Sequence, residues 1–181
     1  MKKTLFLDRD GVVNIDHGYL YKPEQFEFID GVFEACQAFQ KAGYEIVIIT
    51  NQSGIGRGYY SEEDFKHLTD WMCQQFAEQN IKILDVYYCP HHPVKAIEPY
   101  LKNCNCRKPQ PGMLLKAIQK HDLDPVTSIM VGDKKSDMLA AQNANLGHKY
   151  LVNSGQSLSE EDKTHADAVF ASLPELAAAL L

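Results

Sequence analysis

No stretch of this 181-residue chain approaches the roughly 20 consecutive apolar residues that a helix needs to cross a bilayer. The apolar run in MKKTLFLDRDG stops at Leu7 and meets Asp8, too short for the core of a secretory signal. Excess positive charge is also missing. The formal net charge is -6, which opposes non-specific binding to nucleic acid, because that binding rests on Lys and Arg displacing counterions from phosphates. There is no internal repeat, low-complexity tract or long linker. Cysteine is scarce and odd in number, five in all with three clustered between 89 and 106, which suits metal ligation in a reducing compartment better than a disulfide framework. These absences point to a soluble, unexported, cytoplasmic protein with no nucleic-acid or membrane partner. Nothing resembles a long apolar interface helix, so a monomer is expected.

With 45% hydrophobic residues, the length suits one domain over residues 1–181 with a real core. Apolar runs alternate with amphipathic stretches, as in a parallel sheet covered by helices. Strands are expected at Leu5–Leu7, at Glu45–Thr50 (the β-branched EIVIIT, a central strand), at Val86–Tyr88, Ile129–Val131 and Lys149–Val152, and more weakly at Ala168–Phe170. Helices are expected over Val32–Ala42, about 62–79 behind a Ser61/Asp64 capping box, Gly112–Lys120, Ser136–Ala144 and from Pro174 onward. The polar stretch Asn153–Thr164 reads as a mobile surface loop.

In open parallel sheets, ligands bind beyond the carboxyl ends of the strands. Three expected strands run there into polar groups: Asp8-Arg9-Asp10-Gly11, Thr50-Asn51-Gln52-Ser53 and Gly132-Asp133-Lys134-Lys135-Ser136-Asp137. On an extended chain, carboxylates at i and i+2 project the same way, so Asp8 and Asp10 share one pocket. Two like charges that close require a cation or a proton between them. Mg²⁺, held by one or two carboxylates plus water and substrate phosphate, meets that need, with Asp133 or Asp137 completing its shell.

Between strand and helix, CPHHPVKAIEPYLKNCNCRKP sets Cys89 and His91 twelve residues ahead of Cys104 and Cys106. These ligand types suit tetrahedral zinc, and four protein ligands leave no open position, so the metal would be structural. His92 is the fallback ligand. The short pairs differ from the two-to-four-residue spacing of the common nucleic-acid fingers. Cys36 and Cys73 fall on helix faces and read as packing residues.

LFLDRDGVV, IVIITNQSG, RKP and MVGDKKSD resemble, in order and across nearly the whole chain, the four motifs of the haloacid dehalogenase superfamily of phosphatases. The resemblance implies an α/β, Rossmann-like parallel sheet with helices on both faces. It implies Asp8 as nucleophile, through an aspartyl-phosphate, and Asp10 as acid and then base. Mg²⁺ would sit on Asp8, the Asp10 carbonyl and Asp133. Thr50 and Lys108 would hold the phosphoryl oxygens, with Asp137 orienting Lys108 or the metal water.

A zinc loop just before Arg-Lys-Pro is similar to two branches, the heptose bisphosphate and histidinol-phosphate phosphatases. DHGY at Asp16–Tyr19, NQSGIGRG at Asn51–Gly58 and YYCPHHP at Tyr87–Pro93 favour the first, as does Ser53 where the second branch typically has Asp. That implies removal of the 7-phosphate from D-glycero-D-manno-heptose 1,7-bisphosphate, in making nucleotide-activated heptose for lipopolysaccharide. A non-enzymatic alternative is a metal-stabilised phosphate-binding module. A sugar bisphosphate needs a second anion site, for which Arg107 and Arg57 are the guanidinium forks. Asp16, His17, Gly18, Tyr19 and Ser53 would line the sugar side, with Asn51, Gln52 and Lys134 also in contact. No inserted cap domain is visible between Gly11 and Val32 or between Asn51 and Arg107.

Overall fold

A computed structural model describes all residues, Met1–Leu181. Six strands, β1 (Thr4–Leu7), β2 (Glu45–Asn51), β3 (Ile83–Cys89), β4 (Ile129–Gly132), β5 (His148–Val152) and β6 (Ala168–Phe170), form one sheet. Their order is β3-β2-β1-β4-β5-β6, and every neighbouring pair is parallel. The chain winds outward from β1 through β2 to β3, then crosses back to β4 on the other side of β1. That reversal opens a crevice at the carboxyl ends of β1 and β4, where such sheets bind ligands.

The strands are buried on both faces and alternate between two cores. Leu5, Leu7, Ile46, Ile48 and Val131 point to one face. There they meet α1 (Val32–Lys41), α3 (Glu62–Glu78) and α7 (Leu173–Leu180). Phe6, Val47, Ile49, Met130 and Leu151 point to the other, against α4 (Gly112–His121) and α5 (Lys135–Asn143). Each helix offers apolar residues at three- and four-residue spacing, as Phe65, Leu68, Met72 and Phe76 do on α3. Two single-turn helices, α2 (Ser53–Gly56) and α6 (Glu160–Lys163), complete the set.

Every expected strand and helix forms within a few residues of the boundaries read from the sequence. At the start of α3, Ser61 Oγ accepts from the Asp64 amide at 3.0 Å and Asp64 Oδ2 accepts from the Ser61 amide at 2.9 Å. The expectation for Asn153–Thr164 needs correction. Ser159 caps α6 within it, and Ser154 Oγ donates to the Gly11 carbonyl at 2.7 Å, tying the segment to the end of β1. Its polar composition signals a site wall as well as solvent.

Phe39 is wholly buried in the face that α1 shares with α7, whereas Leu115 on α4 is 47% exposed. Phe39→Ala should therefore cost about 3–5 kcal/mol in denaturant unfolding, and Leu115→Ala no more than about 0.5 kcal/mol.

Candidate active site

Asp8 follows β1 directly, Thr50 lies near the end of β2, and Asp133 follows β4, so the sheet places three polar groups at one edge. Lys108 arrives from the long segment between β3 and α4. Its ammonium lies 2.8 Å from Asp8 Oδ1 and 2.6 Å from Asp137 Oδ1, and donates to the Ile49 carbonyl at 3.0 Å. Burial opposes the Lys108 charge, but Asp137 and Asp8 more than offset this and hold its pKa above the ordinary lysine value. Asn51 fixes the backbone that carries it: Oδ1 accepts from the Lys108 amide at 3.0 Å and Nδ2 donates to the Lys108 carbonyl at 3.2 Å.

Asp8, Asp133 and Asp137 each have a carboxylate oxygen within 4.8 Å of the others, all buried. Asp137 is occupied. Besides its Lys108 contact, Oδ2 accepts from the backbone amides of Asp133 and Lys134, both at 3.1 Å. Asp133 is not: both its oxygens are buried without a hydrogen-bond partner. A Cβ on Gly11 would come within 2.3 Å of Asp133 Oδ2 and one on Gly155 within 2.0 Å, so glycines fence the carboxylate on two sides. Burial first, then repulsion from Asp8 and Asp137, pushes Asp133 up to about 9, and burial and Asp8 push Asp137 up to about 6. An oxygen-rich, unpartnered, electrostatically frustrated pocket suits a hard divalent cation. Asp8 and Asp133 are the side chains that would hold it.

Asp10 faces a different environment. Burial raises its pKa, but the Arg9 charge and hydrogen bonds from Asn14, Arg9 and Gln52 bring it below the ordinary carboxylate value. The Arg9 guanidinium is 2% exposed, sits 5.9 Å from the ring centres of both Phe26 and Phe65, and reaches Asp10 Oδ1 and Oδ2 at 3.0 and 3.1 Å. Asn14 Nδ2 adds a bond at 3.0 Å to Oδ1. Neither Arg9 nor Asn14 stood out in the sequence, although the arginine between two acidic residues was the available signal.

A cleft of about 540 Å³ opens over this edge. Its lining includes Asp10, Asp16, Gly18, Tyr19, Asn51, Gln52, Ser53, Arg57, Arg107, Lys108 and Lys134, and also Tyr60, which sequence reading passed over. Arg57 stacks on the Tyr19 ring at 5.5 Å, and its buried Nε has no partner. Arg107 Nη1 donates to the His91 carbonyl at 3.5 Å. Burial opposes the Lys134 charge, but Asp133, Asp8, Asp137 and Asp16 outweigh it and raise its pKa, so it stays an ammonium. His17 is the exception to the expected set: it is outside this lining and pairs with Glu27 at 3.2 Å. A separate apolar groove between α3 and β3, of 460 Å³ around Phe65, Val86 and Tyr88, contains no metal-ligating cluster.

Cys89, His91, Cys104 and Cys106 converge, their ligand atoms all within 4.8 Å of one another. His91 Nδ1 lies 3.7 Å from Cys89 Sγ and 3.4 Å from Cys106 Sγ. His92 turns away, its Nδ1 accepting from the amides of Val94 and Lys95 at 3.1 and 2.8 Å. Burial alone would raise the Cys104 thiol, yet hydrogen bonds, first that from the Arg107 amide at 3.4 Å, bring it below a free thiol. Three sulfurs and one imidazole form a donor set that fits tetrahedral zinc.

The raised Asp133 pKa has a thermodynamic consequence. Between its unfolded value of 3.8 and its folded value of about 9, the metal-free folded protein binds more protons than the unfolded chain. Its stability therefore falls as pH rises through that window. Melting temperatures without divalent cation should drop from pH 5.5 to 8.5, Mg²⁺ should restore more at pH 8.5, and Asp133→Asn should flatten the pH dependence and abolish the Mg²⁺ effect.

Residues 105–176 match the HAD-hydrolase-like family model. A D-glycero-beta-D-manno-heptose-1,7-bisphosphate 7-phosphatase from Pasteurella multocida is 49% identical over 176 residues, 97% of this chain and 95% of that protein. The protein of the same name from Escherichia coli K12 is 47% identical over 177 residues, 98% and 93% of the two chains. Among solved structures, the D,D-heptose 1,7-bisphosphate phosphatase from B. bronchiseptica, complexed with magnesium and phosphate, superposes with a TM-score of 0.82 at 30% identity, covering 98% of this chain and 97% of that one. With this identity over nearly its whole length, the chain belongs to the D-glycero-beta-D-manno-heptose-1,7-bisphosphate 7-phosphatase family of HAD-like hydrolases.

Proposed function

We propose that this chain is a Mg²⁺-dependent phosphatase that removes the 7-phosphate of D-glycero-D-manno-heptose 1,7-bisphosphate. The observation that carries the reading is the buried Asp8–Lys108–Asp137 constellation with an unpartnered Asp133 beside it, in a chain with near full-length relatives of that name. Asp8 attacks phosphorus, and the bond from phosphorus to the sugar oxygen breaks as the Asp8–phosphorus bond forms. Asp10 gives its proton to the departing oxygen. It then takes one from the water that hydrolyses the aspartyl-phosphate.

Asp10 is held as a carboxylate by Arg9 at rest, which suits the second role. The first needs a proton, and the negative charge of an incoming phosphoryl group beside Asp10 raises its affinity for one. Lys108 and the Thr50 hydroxyl hold the phosphoryl oxygens. Asp8, the Asp10 carbonyl and Asp133 would hold Mg²⁺, which would supply neutralising charge for the transferring group. Asn51 serves by clamping Lys108, and Gln52 by bonding to Asp10, more than by touching the sugar.

The second phosphate is met by Arg107 and Arg57, with Lys134 adding positive charge and Asp16, Gly18, Tyr19 and Ser53 against the sugar. The support for Arg57 is its buried, unsatisfied Nε at the cleft. Structural zinc on Cys89, His91, Cys104 and Cys106 holds the loop from which Arg107 and Lys108 project. All 181 residues act as one domain.

Purified protein with Mg²⁺ should release phosphate from the heptose bisphosphate far faster than from histidinol phosphate; the reverse preference sinks the assignment. Asp8→Asn should fold normally and lose turnover by roughly 10³-fold or more, because the amide keeps the shape without the nucleophile.

Cys106→Ser should lower zinc content, measured by elemental analysis. It should also raise KM for the bisphosphate by about tenfold, the scale expected when groups that order a metal site are disturbed. Unchanged kinetics in zinc-free protein would show that the loop holds its shape alone.

A further inference from the structure

Tyr60 makes no direct hydrogen bond to Asp10 or Thr50, yet the Gln52 amide links it to both. It is 7% exposed, its ring stacks on Tyr21 at 5.5 Å, and Gly54 lies so close that a Cβ there would come within 2.3 Å of the ring. The hydroxyl donates to Gln52 Oε1. With the amide oxygen so engaged, Gln52 Nε2 can only face the other way. It donates to Asp10 Oδ2 at 3.2 Å and to Thr50 Oγ1 at 2.9 Å. Flipping the buried amide would set its oxygen against the Asp10 carboxylate and leave the phenol without an acceptor, both costly in a dry site. The Thr50 hydroxyl, which accepts this bond, donates to the Asn51 carbonyl at 3.4 Å between the oxygens.

We propose that Tyr60 is a positioning residue for phosphoryl transfer: through Gln52, it sets the Asp10 carboxyl for proton transfer to the leaving oxygen. The inference rests on the reading of Asp10 as that proton donor. Arg9 and Asn14 hold Asp10 from the other side, mostly through Oδ1. The Gln52 bond is thus the constraint on Oδ2 that faces the second motif.

The test exploits the leaving group. A sugar alkoxide needs a proton to depart, whereas p-nitrophenolate does not, and kcat/KM extends only as far as that departure. With Mg²⁺ present, Tyr60→Phe should lower kcat/KM for the heptose bisphosphate by about tenfold, part of the roughly 10²–10⁴-fold that a positioned acid contributes. The loss should fall in kcat, with KM nearly unchanged, and kcat/KM for p-nitrophenyl phosphate should fall by no more than about twofold. Gln52→Met, which removes the amide that links Tyr60 to Asp10 while nearly keeping the volume, should repeat the pattern if Tyr60→Phe is disturbed in folding. Equal losses on both substrates, or none on either, overturn the proposal. Asp10→Asn separates the two readings. If it shows the selective loss and Tyr60→Phe does not, the inference about Tyr60 alone fails; if Asp10→Asn lacks it too, the role given to Asp10 fails with it.

Discussion

Three carboxylates packed within 4.8 Å of one another in a buried site cannot all carry charge without compensation, and much of the molecule is arranged around that constraint. The sheet cannot relieve it, because parallel strands ending side by side deliver Asp8 and Asp133 to the same edge. Relief comes from Lys108, which pairs with Asp8 and Asp137 and leaves Asp133 uncompensated. That lysine lies far along the chain, on irregular backbone. Such a residue is only as well placed as the segment that carries it, and here Asn51 grips its backbone while the Cys/His cluster gathers the loop just before it. The Cys/His cluster and the buried ion pair are two ends of one arrangement.

Asp8 and Asp10 are two residues apart, but they belong to different electrostatic compartments. Asp10 is drawn out of the carboxylate cluster by a guanidinium buried between two phenyl rings, a costly group to bury unless it is paired. The pKa of Asp10 goes down and that of Asp133 goes up. Under the proposed reading, these opposed directions divide labour between proton transfer at Asp10 and cation binding at Asp133. Removing Arg9 would therefore merge two systems that the proposed chemistry keeps apart.

Much of this was legible in the chain. Strands such as EIVIIT announce themselves because burial on both faces demands continuous β-branched residues, and each chemical motif sits where such a run meets polar residues. The Cys/His cluster was legible because cysteine and histidine rarely sit so close in sequence otherwise, although telling that His91 and not His92 joins it required seeing which ring the local backbone had captured. What stayed hidden was contact across sequence. Tyr60 reads as an ordinary aromatic between a glycine-rich turn and a helix, and only the fold sets its hydroxyl against Gln52. Gly155 reads as a loop glycine until its approach to Asp133 is measured. His17 departs from the expected set: Asp16, Gly18 and Tyr19 of DHGY line the cleft, whereas its imidazole pairs with Glu27.

The absence of an inserted cap bears on specificity. A cap domain excludes water by closing; this cleft has only short rims, with Tyr19 and Arg57 stacked at its mouth. Under the proposed reading, a second phosphate held by arginines performs part of that work. Binding energy remote from the reacting phosphorus fixes the orientation of the sugar, so that the alkoxide leaves toward Asp10. A monophosphate lacking that anchor would still reach Lys108 and Thr50, but in a larger set of poses, few of which aim its leaving oxygen at the acid. On this argument, discrimination resides in the geometry of proton transfer as much as in affinity, which is why the residues that hold Asp10 matter as much as those that touch the sugar.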